Sequence, residues 1–388
     1  MTASAPSPAD RPAVIAAAVL LTAVVAAILL IAPVVVGALI TRYGFTPSQA
    51  GYLISVELGA MSLAALQALW WLPRWSWSRL LIGALLVMIV GNVGCAYLST
   101  FTALAGLRFV TGLAGGSVMV ICLAVIGMTS QTERNFGWWT IGQLLLGAIG
   151  LTLLPRVLPA VGLPGLYFGL AALLCACLVA SRILPRQGPP ASGSADRQRM
   201  LAPALLGLGG ILCLYIALGG LWTYVERIGA AAGLAPALIG DDLTIASVCC
   251  ITGCLGAILL GSRFGRLRPL LLGFALIIGG AAALRGTPSP LRYLLAAGTF
   301  KFAWTFALPF ILAGMASHDR SGRLMALANF MIGGGLALGP ALVAAALGNP
   351  PDYSIAPGIS IAMGAISLAL LVASSRDPIR PRRPARGA

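Results

Sequence analysis

Twelve long apolar runs constrain the fold of this chain more than any other feature of its sequence. A helix needs about 20 apolar residues to cross the hydrocarbon core of a bilayer. These runs have about that length and are bounded by Arg, Pro or Asp, so they predict an all-α polytopic membrane protein with twelve transmembrane helices. The predicted spans are residues 13–40, 46–72, 78–99, 102–129, 136–159, 163–184, 201–228, 237–262, 268–286, 290–316, 322–347 and 354–375.

The composition excludes the main alternative, a soluble protein of two or three domains. Of the 388 residues, 59% are hydrophobic and only 9% are charged, and the mean hydropathy is +0.96. The net charge of +15 could indicate a nucleic-acid-binding protein. However, the arginines stand in short clusters between the apolar runs, as they do in membrane proteins. We therefore expect contact with a lipid bilayer and no nucleic-acid partner.

The cysteines indicate neither a metal site nor a disulfide framework. All eight lie inside apolar runs and lack Cys-x-x-Cys spacing, which is typical of inert, buried thiols. The chain also lacks the phosphate-binding pattern Gly-x-x-x-x-Gly-Lys-Ser/Thr. We expect no cofactor, no bound metal and no ATPase activity by that route.

Basic residues predict the orientation, because cytoplasmic loops of membrane proteins are enriched in Lys and Arg. With both termini in the cytoplasm, most of the 25 Lys and Arg residues fall on that side. The first run exceeds the roughly 7–15 residues of a signal-peptide core, so we expect it to remain as a helix. The predicted location is a bacterial-type inner (plasma) membrane. The cytoplasmic arginines are Arg11, Arg74, Arg79, Arg134, Arg182, Arg186, Arg197, Arg199, Arg263, Arg266, Arg268, Arg320, Arg323, Arg376, Arg380, Arg382, Arg383 and Arg386.

A polar segment divides the spans into two sets of six. The stretch "LPRQGPPASGSADRQRM" at 184–200 is rich in Pro, Gly, Ser and charge, as flexible linkers are. We expect an N-terminal six-helix bundle at 1–184, a cytoplasmic linker at 185–200, a C-terminal six-helix bundle at 201–375 and a basic tail at 376–388. Two similar halves can rock around a central site, as in many transporters.

Three short motifs resemble signatures of the major facilitator superfamily. "GSRFGRLR" (261–268) carries Arg263, Gly265 and Arg266 of its basic loop motif, whose first copy, "LPRWSWSR" (72–79), keeps Arg74. The motif's aspartate is replaced by Pro73 and Ser262. The stretch "LAGLRFVTGLAGG" (104–116) matches the family's fourth-helix pattern at Arg108 and Gly112, and Gly335-x-x-x-Gly339-Pro340 resembles its antiporter motif. The resemblance covers essentially the whole chain and implies a secondary transporter with twelve helices in two pseudo-symmetric bundles.

Lys301, the only lysine, lies in the middle of the tenth span in "AAGTFKFAWTFALPFILAG". At 1.5 Å per residue, both membrane surfaces are roughly 15–20 Å away, beyond the reach of its side chain. A charge at that depth costs at least about 2.5–3.5 kcal/mol. Lys301 therefore either belongs to a buried ion pair that fixes helix packing or serves a substrate or proton pathway, and we favour the second interpretation.

Glu57, in the second span, is the acidic counterpart of this lysine. Its neighbours on the helix are apolar and offer no hydrogen-bond donor, so Glu57 needs a partner or a proton. In the resembled family, the second span borders the other half and the tenth lines the central cavity. We therefore hypothesise a Glu57–Lys301 pair that protonation of Glu57 would release.

The seventh span places Tyr215, Trp222 and Glu226 on one face. This face is either an aromatic belt with a solvated acidic end or an aromatic wall with an acid beside the cavity. Asp241 and Asp242 are predicted at the start of the eighth span. At least one is expected to cap the helix, while Asp242 remains a candidate for the substrate and proton pathway.

Further polar residues in the spans have two interpretations each. Gln143 and Asn329 are either interhelical glue or substrate contacts. Arg108 either extends to the membrane surface or, as the resemblance implies, handles protons or substrate. A cytoplasmic gate is predicted from loop residues, namely Arg74, Arg263, Gly265, Arg266, Asp319 and Arg323.

The sequence predicts a secondary active transporter that works by alternating access, with protons as the coupling ion. The mixture of Lys301 and Arg108 with Glu57 and Glu226 favours a small organic anion or zwitterion as the solute, and we expect a monomer. Proton-driven efflux of drugs or metabolites is the alternative in the same class. A membrane-embedded lipid-processing enzyme is a remote alternative, because the adjacent acids Asp241 and Asp242 lack spaced metal-ligand partners.

Overall fold

The structure is a computed structural model, and it describes residues 10–72, 74–129, 132–185, 202–260, 265, 267–316 and 323–375. Some side chains within these ranges, such as that of Arg323, are not described. The described ranges contain helices and no strand. The helices are α1 (Pro12–Val25), α2 (Ala27–Leu30), α3 (Ala32–Tyr43), α4 (Pro47–Trp71), α5 (Trp77–Cys95), α6 (Phe101–Gly127), α7 (Thr132–Ala180), α8 (Ala202–Ala231), α9 (Pro236–Leu260), α10 (Leu267–Ala283), α11 (Pro290–Ala316), α12 (Arg323–Ala346) and α13 (Ile355–Ser375).

These helices account for twelve membrane crossings. In the described part of the chain, nine helices are long and apolar enough to span a bilayer. The helix α7 contains the fifth and sixth predicted spans, and the chain turns between them at Gly162. The φ of Gly162, 66°, lies in the left-handed region that glycine adopts most readily. The short helix α10 supplies one more crossing, and α1, α2 and α3 together form the first.

The first crossing is not the continuous helix that the sequence predicts. It is interrupted at Ala26 and Ile31, which separate α1, α2 and α3. Pro33 stands in the first turn of α3, where its missing N–H is tolerated, but it cannot continue a helix from the preceding turn. Proline therefore accounts for the break at Ile31.

The same helix pairings occur in both halves of the molecule. In the N-terminal half α6 packs against α4 and α5, and in the C-terminal half α11 packs in the same way against α9 and α10. This repetition is the pseudo-symmetry expected of two parallel repeats. The halves meet where α4 packs on α12, α7 on α9 and α3 on α8. The predicted linker lies almost wholly outside the described residues, and the predicted tail lies wholly outside them.

The two halves share a buried core at one end of the molecule. We call the end where α1 begins and α13 ends the tail end, and the opposite end, where α3 ends and α4 begins, the far end. One apolar cluster joins the far-end part of the N-terminal half, including Leu39 and Leu151, to the C-terminal half. At the tail end, the described core of the N-terminal half, including Leu81 and Ile121, forms a separate cluster. The structure is therefore joined at the far end.

Candidate functional site

Glu57 pairs with Arg108 rather than with Lys301, so the hypothesised Glu57–Lys301 pair is wrong. Arg108 Nη2 on α6 donates to Glu57 Oε1 on α4 over 2.6 Å. Arg108 Nη1 donates to Asn92 Oδ1 on α5 over 3.1 Å, and the guanidinium lies 5.6 Å from the ring centroid of Tyr167. Arg108 is closer to Glu57 because α4 and α6 pack directly together, whereas Lys301 belongs to the other half.

This group of Glu57, Asn92, Arg108 and Tyr167 is enclosed by the N-terminal half. Arg108 is 2% exposed, so it does not extend to the membrane surface. Asn92 is a residue that the sequence reasoning missed, although an amide within an apolar span was the signal that could have found it. The Glu57 carboxylate therefore has Arg108 as its cation, and Arg108 has a second oxygen acceptor in Asn92.

Lys301 is held by aromatic rings instead of a carboxylate. Its Nζ lies 4.0 Å from the ring centroid of Trp222 on α8 and 4.5 Å from that of Trp304 on α11. Tyr215 meets Trp304 edge to face, with the ring centroids 6.1 Å apart. Among the described side chains, no carboxylate is within salt-bridge distance of Lys301. Cation–π contacts favour the ammonium without neutralising its charge, so Lys301 keeps the capacity to attract an anion.

The backbone around Lys301 is fixed to the neighbouring helix α9. Cys250 Sγ donates to the carbonyl oxygen of Lys301 over 3.4 Å, and Thr305 Oγ1 donates to the carbonyl oxygen of Cys250 over 2.7 Å. The helices approach closely here because Gly253 faces the Phe302 carbonyl, where a Cβ would collide. These contacts set the position of the ammonium relative to α8 and α9.

The predicted aromatic face of α8 is buried inside the C-terminal half. Tyr215, Trp222 and Glu226 are all buried, so the face is not a lipid-surface belt with a solvated end. Glu226 Oε2 accepts from Arg227 Nε over 2.6 Å. The Glu226 carboxylate lies against Gly37 of α3, where a Cβ would come within 2.6 Å of it. Trp222 reaches Lys301, whereas Glu226 lies at the contact between the halves.

Polar contacts join the halves at the far end, and the sequence reasoning did not single them out. Tyr224 donates its hydroxyl to the carbonyl oxygen of Pro47 over 2.8 Å, and Ser48 donates to that of Ala344 over 2.6 Å. Arg156 on α7 pairs with Asp241 on α9, and the shortest distance is 2.7 Å. This ion pair is largely exposed, so it contributes little to stability and can break.

The expectation that Asp241 or Asp242 caps a helix is wrong. The helix α9 begins at Pro236, so both residues lie in its second turn and cannot accept the orphan N–H groups of the first. Asp241 faces α7 and Arg156. Asp242 is 5% exposed, and its Oδ2 has no hydrogen-bond partner among the described groups.

Of the remaining predicted residues, those that the structure describes do not join Lys301. Gln143 is half-buried on α7 and Asn329 is exposed on α12. Arg74 Nη1 donates to the carbonyl oxygen of Trp70, and the Arg74 guanidinium lies 5.4 Å from the centroid of the Trp70 ring. Gly265 has a φ of 69°. Arg263, Arg266 and Asp319 lie outside the described residues, as does the side chain of Arg323.

Solved structures of transporters share this fold. The D-xylose–proton symporter superposes with a TM-score of 0.72 at 14% identity, over 92% of this chain and 96% of that one. The nucleoside transporter NupG superposes with a TM-score of 0.65 at 14% identity, over 93% of this chain and 97% of that one. A mutant of NupG gives a TM-score of 0.69 at 14% identity, over 93% and 98%. No curated protein matches this chain in sequence.

The family assignment rests on the sequence itself. The sequence profile described as "Major Facilitator Superfamily" matches residues 13–340, well over half of the chain. The twelve crossings, the repeated helix pairings and the shared fold agree with that match. The predicted resemblance is confirmed: this chain is an integral membrane transporter, rather than an enzyme, and belongs to the Major Facilitator Superfamily.

Proposed function

We propose that this protein is a proton-coupled secondary transporter that moves a small organic anion or zwitterion by alternating access. The observation that carries the proposal is the ammonium of Lys301, which has aromatic neighbours but no described carboxylate partner. Lys301 is 7% exposed. Through Trp222 it contacts α8, the helix that meets α3 of the other half. A solute anion would complete its coordination.

Alternating access requires two halves that can separate at either end in turn. The far-end contacts include polar ones that are partly exposed and can break, as the Arg156–Asp241 pair illustrates. The separate tail-end core of the N-terminal half supports a state that is closed at the far end. In the proposed orientation, with both termini cytoplasmic in a bacterial-type inner membrane, the far end is the external end.

The proton is the proposed coupling ion for two reasons. The structure describes the side chains of four acidic residues in the helices, Glu57, Glu226, Asp241 and Asp242, and protonation would change their surroundings. A solved structure with the same fold is named a proton symporter. At 14% identity, the sugar and nucleoside named for these structures do not identify the solute of this chain. The proposed working unit is a monomer.

Efflux of drugs or metabolites is not favoured by a specific contact. The Gly335-x-x-x-Gly339-Pro340 stretch, which resembles the antiporter motif, packs α12 against α8. A Cβ at Gly339 would lie 2.5 Å from the backbone of Gly220, and one at Gly335 would lie 2.6 Å from the Tyr215 side chain. Close packing therefore explains both glycines without a role in antiport.

The proposal is tested by transport into proteoliposomes with an imposed pH gradient. Organic acids, amino acids, nucleosides and sugars are offered to wild type, to Lys301→Gln and to Arg285→Gln. Loss of a charge-assisted hydrogen bond worth about 1.5–3 kcal/mol predicts that Lys301→Gln weakens solute binding about 10–100-fold. Arg285, an exposed arginine in the α10–α11 connection, is the charge-matched control and should not affect binding.

Three results would contradict parts of the proposal. Transport that ignores the pH gradient would remove the proton from the mechanism. Equal solute binding by Lys301→Gln and wild type would remove Lys301 from the site. A preference for permanent cations would exclude the anion or zwitterion class.

A further inference from the structure

Asp242 differs from the other carboxyl groups that the structure describes in the helices. Glu57 is paired with Arg108, Glu226 with Arg227 and Asp241 with Arg156. Asp242 forms no ion pair with a described cation, and its buried Oδ2 has no hydrogen-bond partner among the described groups. It is nevertheless 95% buried, since its exposure is 5%.

The position of Asp242 follows from the contacts between α9 and α11. Asp242 lies eight residues before Cys250, and Tyr293 lies eight residues before Lys301, whose carbonyl oxygen Cys250 contacts. Both helices run from the far end to the tail end, so Asp242 is level with Tyr293, about 12 Å beyond Cys250. A Cβ at Gly229 of α8 would lie 3.0 Å from Ile239 and 3.1 Å from Tyr293, so α8, α9 and α11 meet here, one turn before Asp242.

Among the described side chains, no cation near Asp242 is free to neutralise it. On the adjoining helix α7, Arg156 is engaged by Asp241, and on α8 Arg227 is engaged by Glu226. On α11, Lys301 lies two turns towards the tail end between two tryptophans. The Tyr293 hydroxyl donates to the carbonyl oxygen of Val225 over 3.0 Å. A buried carboxyl without a partner is stable in its protonated, neutral form.

The same part of α9 forms the contact that must open at the far end. Thr244 lies 2.7 Å from Thr152 of α7, oxygen to oxygen, and a Cβ at Gly240 would lie 2.8 Å from the carbonyl oxygen of Leu151. Asp242 is two residues from each of these, about 200° round the helix, so it faces away from α7 and towards α8 and α11. Separation of the halves would also part Glu226 of α8 from Gly37 of α3 and admit water to the side of Tyr293 and Asp242, and water stabilises an ionised carboxylate.

We propose that Asp242 is a proton-binding site that controls the far end: it holds a proton while the far end is closed and releases it when the halves separate there. The step breaks the carboxyl O–H bond, leaves the electron pair on Asp242 and transfers the proton to water at the far end. By linkage, proton binding and far-end closure then favour each other. This inference rests on the proposed function only in that the halves alternate.

The test measures far-end closure directly and needs no solute. Spin labels are placed at Ala160→Cys on α7 and Ala237→Cys on α9, two exposed far-end positions in opposite halves, with exposed Cys175 changed to Ser. Pulsed electron paramagnetic resonance then gives the distance distribution in nanodiscs across a pH series. In wild type, the long-distance, open population should grow as the pH rises.

Three substitutions separate the role of Asp242 from that of its neighbour Asp241. Asp242→Asn mimics the protonated carboxyl, so its far end should stay closed at every pH. Asp242→Leu, which has no hydrogen-bonding group in its side chain, should give the same result. Asp241→Asn removes the partner of Arg156, so its open population at the far end should be larger than that of wild type at every pH. That population should still grow as the pH rises.

A wild-type distance distribution that ignores pH would overturn the inference, as would an Asp242→Asn distribution that follows the wild-type response. Transport distinguishes this failure from failure of the proposed function. If gradient-driven transport persists in Asp242→Asn, this inference fails and the proposed function stands. If wild type transports no solute yet shows the Asp242-dependent closure, the proposed function fails and this inference stands.

Discussion

At the scale of single residues, Arg108 and Lys301 show two ways to keep a cation inside a helix bundle. Arg108 is neutralised by Glu57 and shares a second hydrogen bond with Asn92. Lys301 is placed on the faces of Trp222 and Trp304, which leaves its net charge available. The paired arginine suits a structural role, and the unpaired lysine suits a site that meets a solute.

Removal of one member of the Arg108–Glu57 pair should destabilise the protein. Arg108→Met leaves the Glu57 carboxylate buried without a cation, and we expect a loss of about 3–5 kcal/mol in the free energy of unfolding. The double variant Arg108→Met/Glu57→Leu removes both charges and should recover most of that loss. Denaturant unfolding of the purified protein measures both effects. A double variant no more stable than Arg108→Met would show that the pair does not act as a unit.

The hydrogen bonds of Asp352, which lies outside the membrane-spanning segments, predict that the stability of the start of α13 depends on pH. Ser354 donates its hydroxyl to Oδ2 and its backbone N–H to Oδ1, each over 2.9 Å. These hydrogen bonds, the side-chain one first, hold the pKa of Asp352 below its usual value. A lowered pKa means that the carboxylate stabilises the start of α13 above its usual pKa and loses this effect as the pH falls through the lowered value.

Hydrogen exchange at Ser354 measures that effect. The protection factor of its amide should fall as the pH drops from about 5 to about 2, and Asp352→Ala should make it low throughout. Ser354→Ala, which removes the hydroxyl donor alone, should shift the fall to higher pH. Constant protection over this range in wild type would contradict the prediction.

At the scale of helices, close packing depends on glycine at particular faces. A Cβ at Gly112 of α6 would lie 2.5 Å from the carbonyl oxygen of Glu57 and 2.9 Å from Cβ of Ala60, both on α4. Gly106, one and a half turns earlier on α6, has no such neighbour within 4 Å. Gly112 therefore sets the α4–α6 distance that allows Arg108 to reach Glu57.

These two glycines form a matched pair for a stability experiment. Gly112→Ala should destabilise the protein by about 1–3 kcal/mol, because the helices must move apart. Gly106→Ala should be neutral or slightly stabilising, because alanine favours a helix by up to about 1 kcal/mol over glycine. Thermal unfolding in detergent compares the two. Equal effects would indicate that the α4–α6 contact is looser than the structure shows.

At the scale of the whole molecule, the halves are joined at the far end by contacts that differ in strength. The exposed Arg156–Asp241 pair is the most accessible to chemistry, whereas the bonds from Tyr224 and Ser48 are partly buried. A mechanism in which the halves rock must break all of them in each cycle.

A reversible cross-link at the far end should therefore stop transport. Arg156→Cys/Asp241→Cys, with exposed Cys175 changed to Ser, presents two thiols that a short disulfide-forming linker can bridge. We expect the linked double variant to lose at least 90% of the transport rate, roughly tenfold or more, because α7 cannot leave α9. A reductant should restore the rate. Each single-cysteine variant treated alike is the control, and full transport by the linked protein would contradict far-end opening.

The sequence by itself determined the number of crossings, the two-half organisation and the family resemblance. These features depend on local quantities, since apolar run length sets the spans and a handful of motif residues sets the resemblance. Sequence also identified Lys301 and Glu57 as residues that need an explanation, because charges within apolar runs are expensive wherever the helices lie. It also required Glu57 to find a partner or a proton.

Tertiary structure alone decided which groups meet. Glu57 binds Arg108 because α4 packs on α6, and Lys301 meets Trp222 because α11 lies beside α8. It also decided that Asp242 is an enclosed acid rather than a helix cap. Pairings of this kind depend on the rotation and register of helices far apart in sequence. Apolar periodicity constrains these weakly when every face of a helix is apolar.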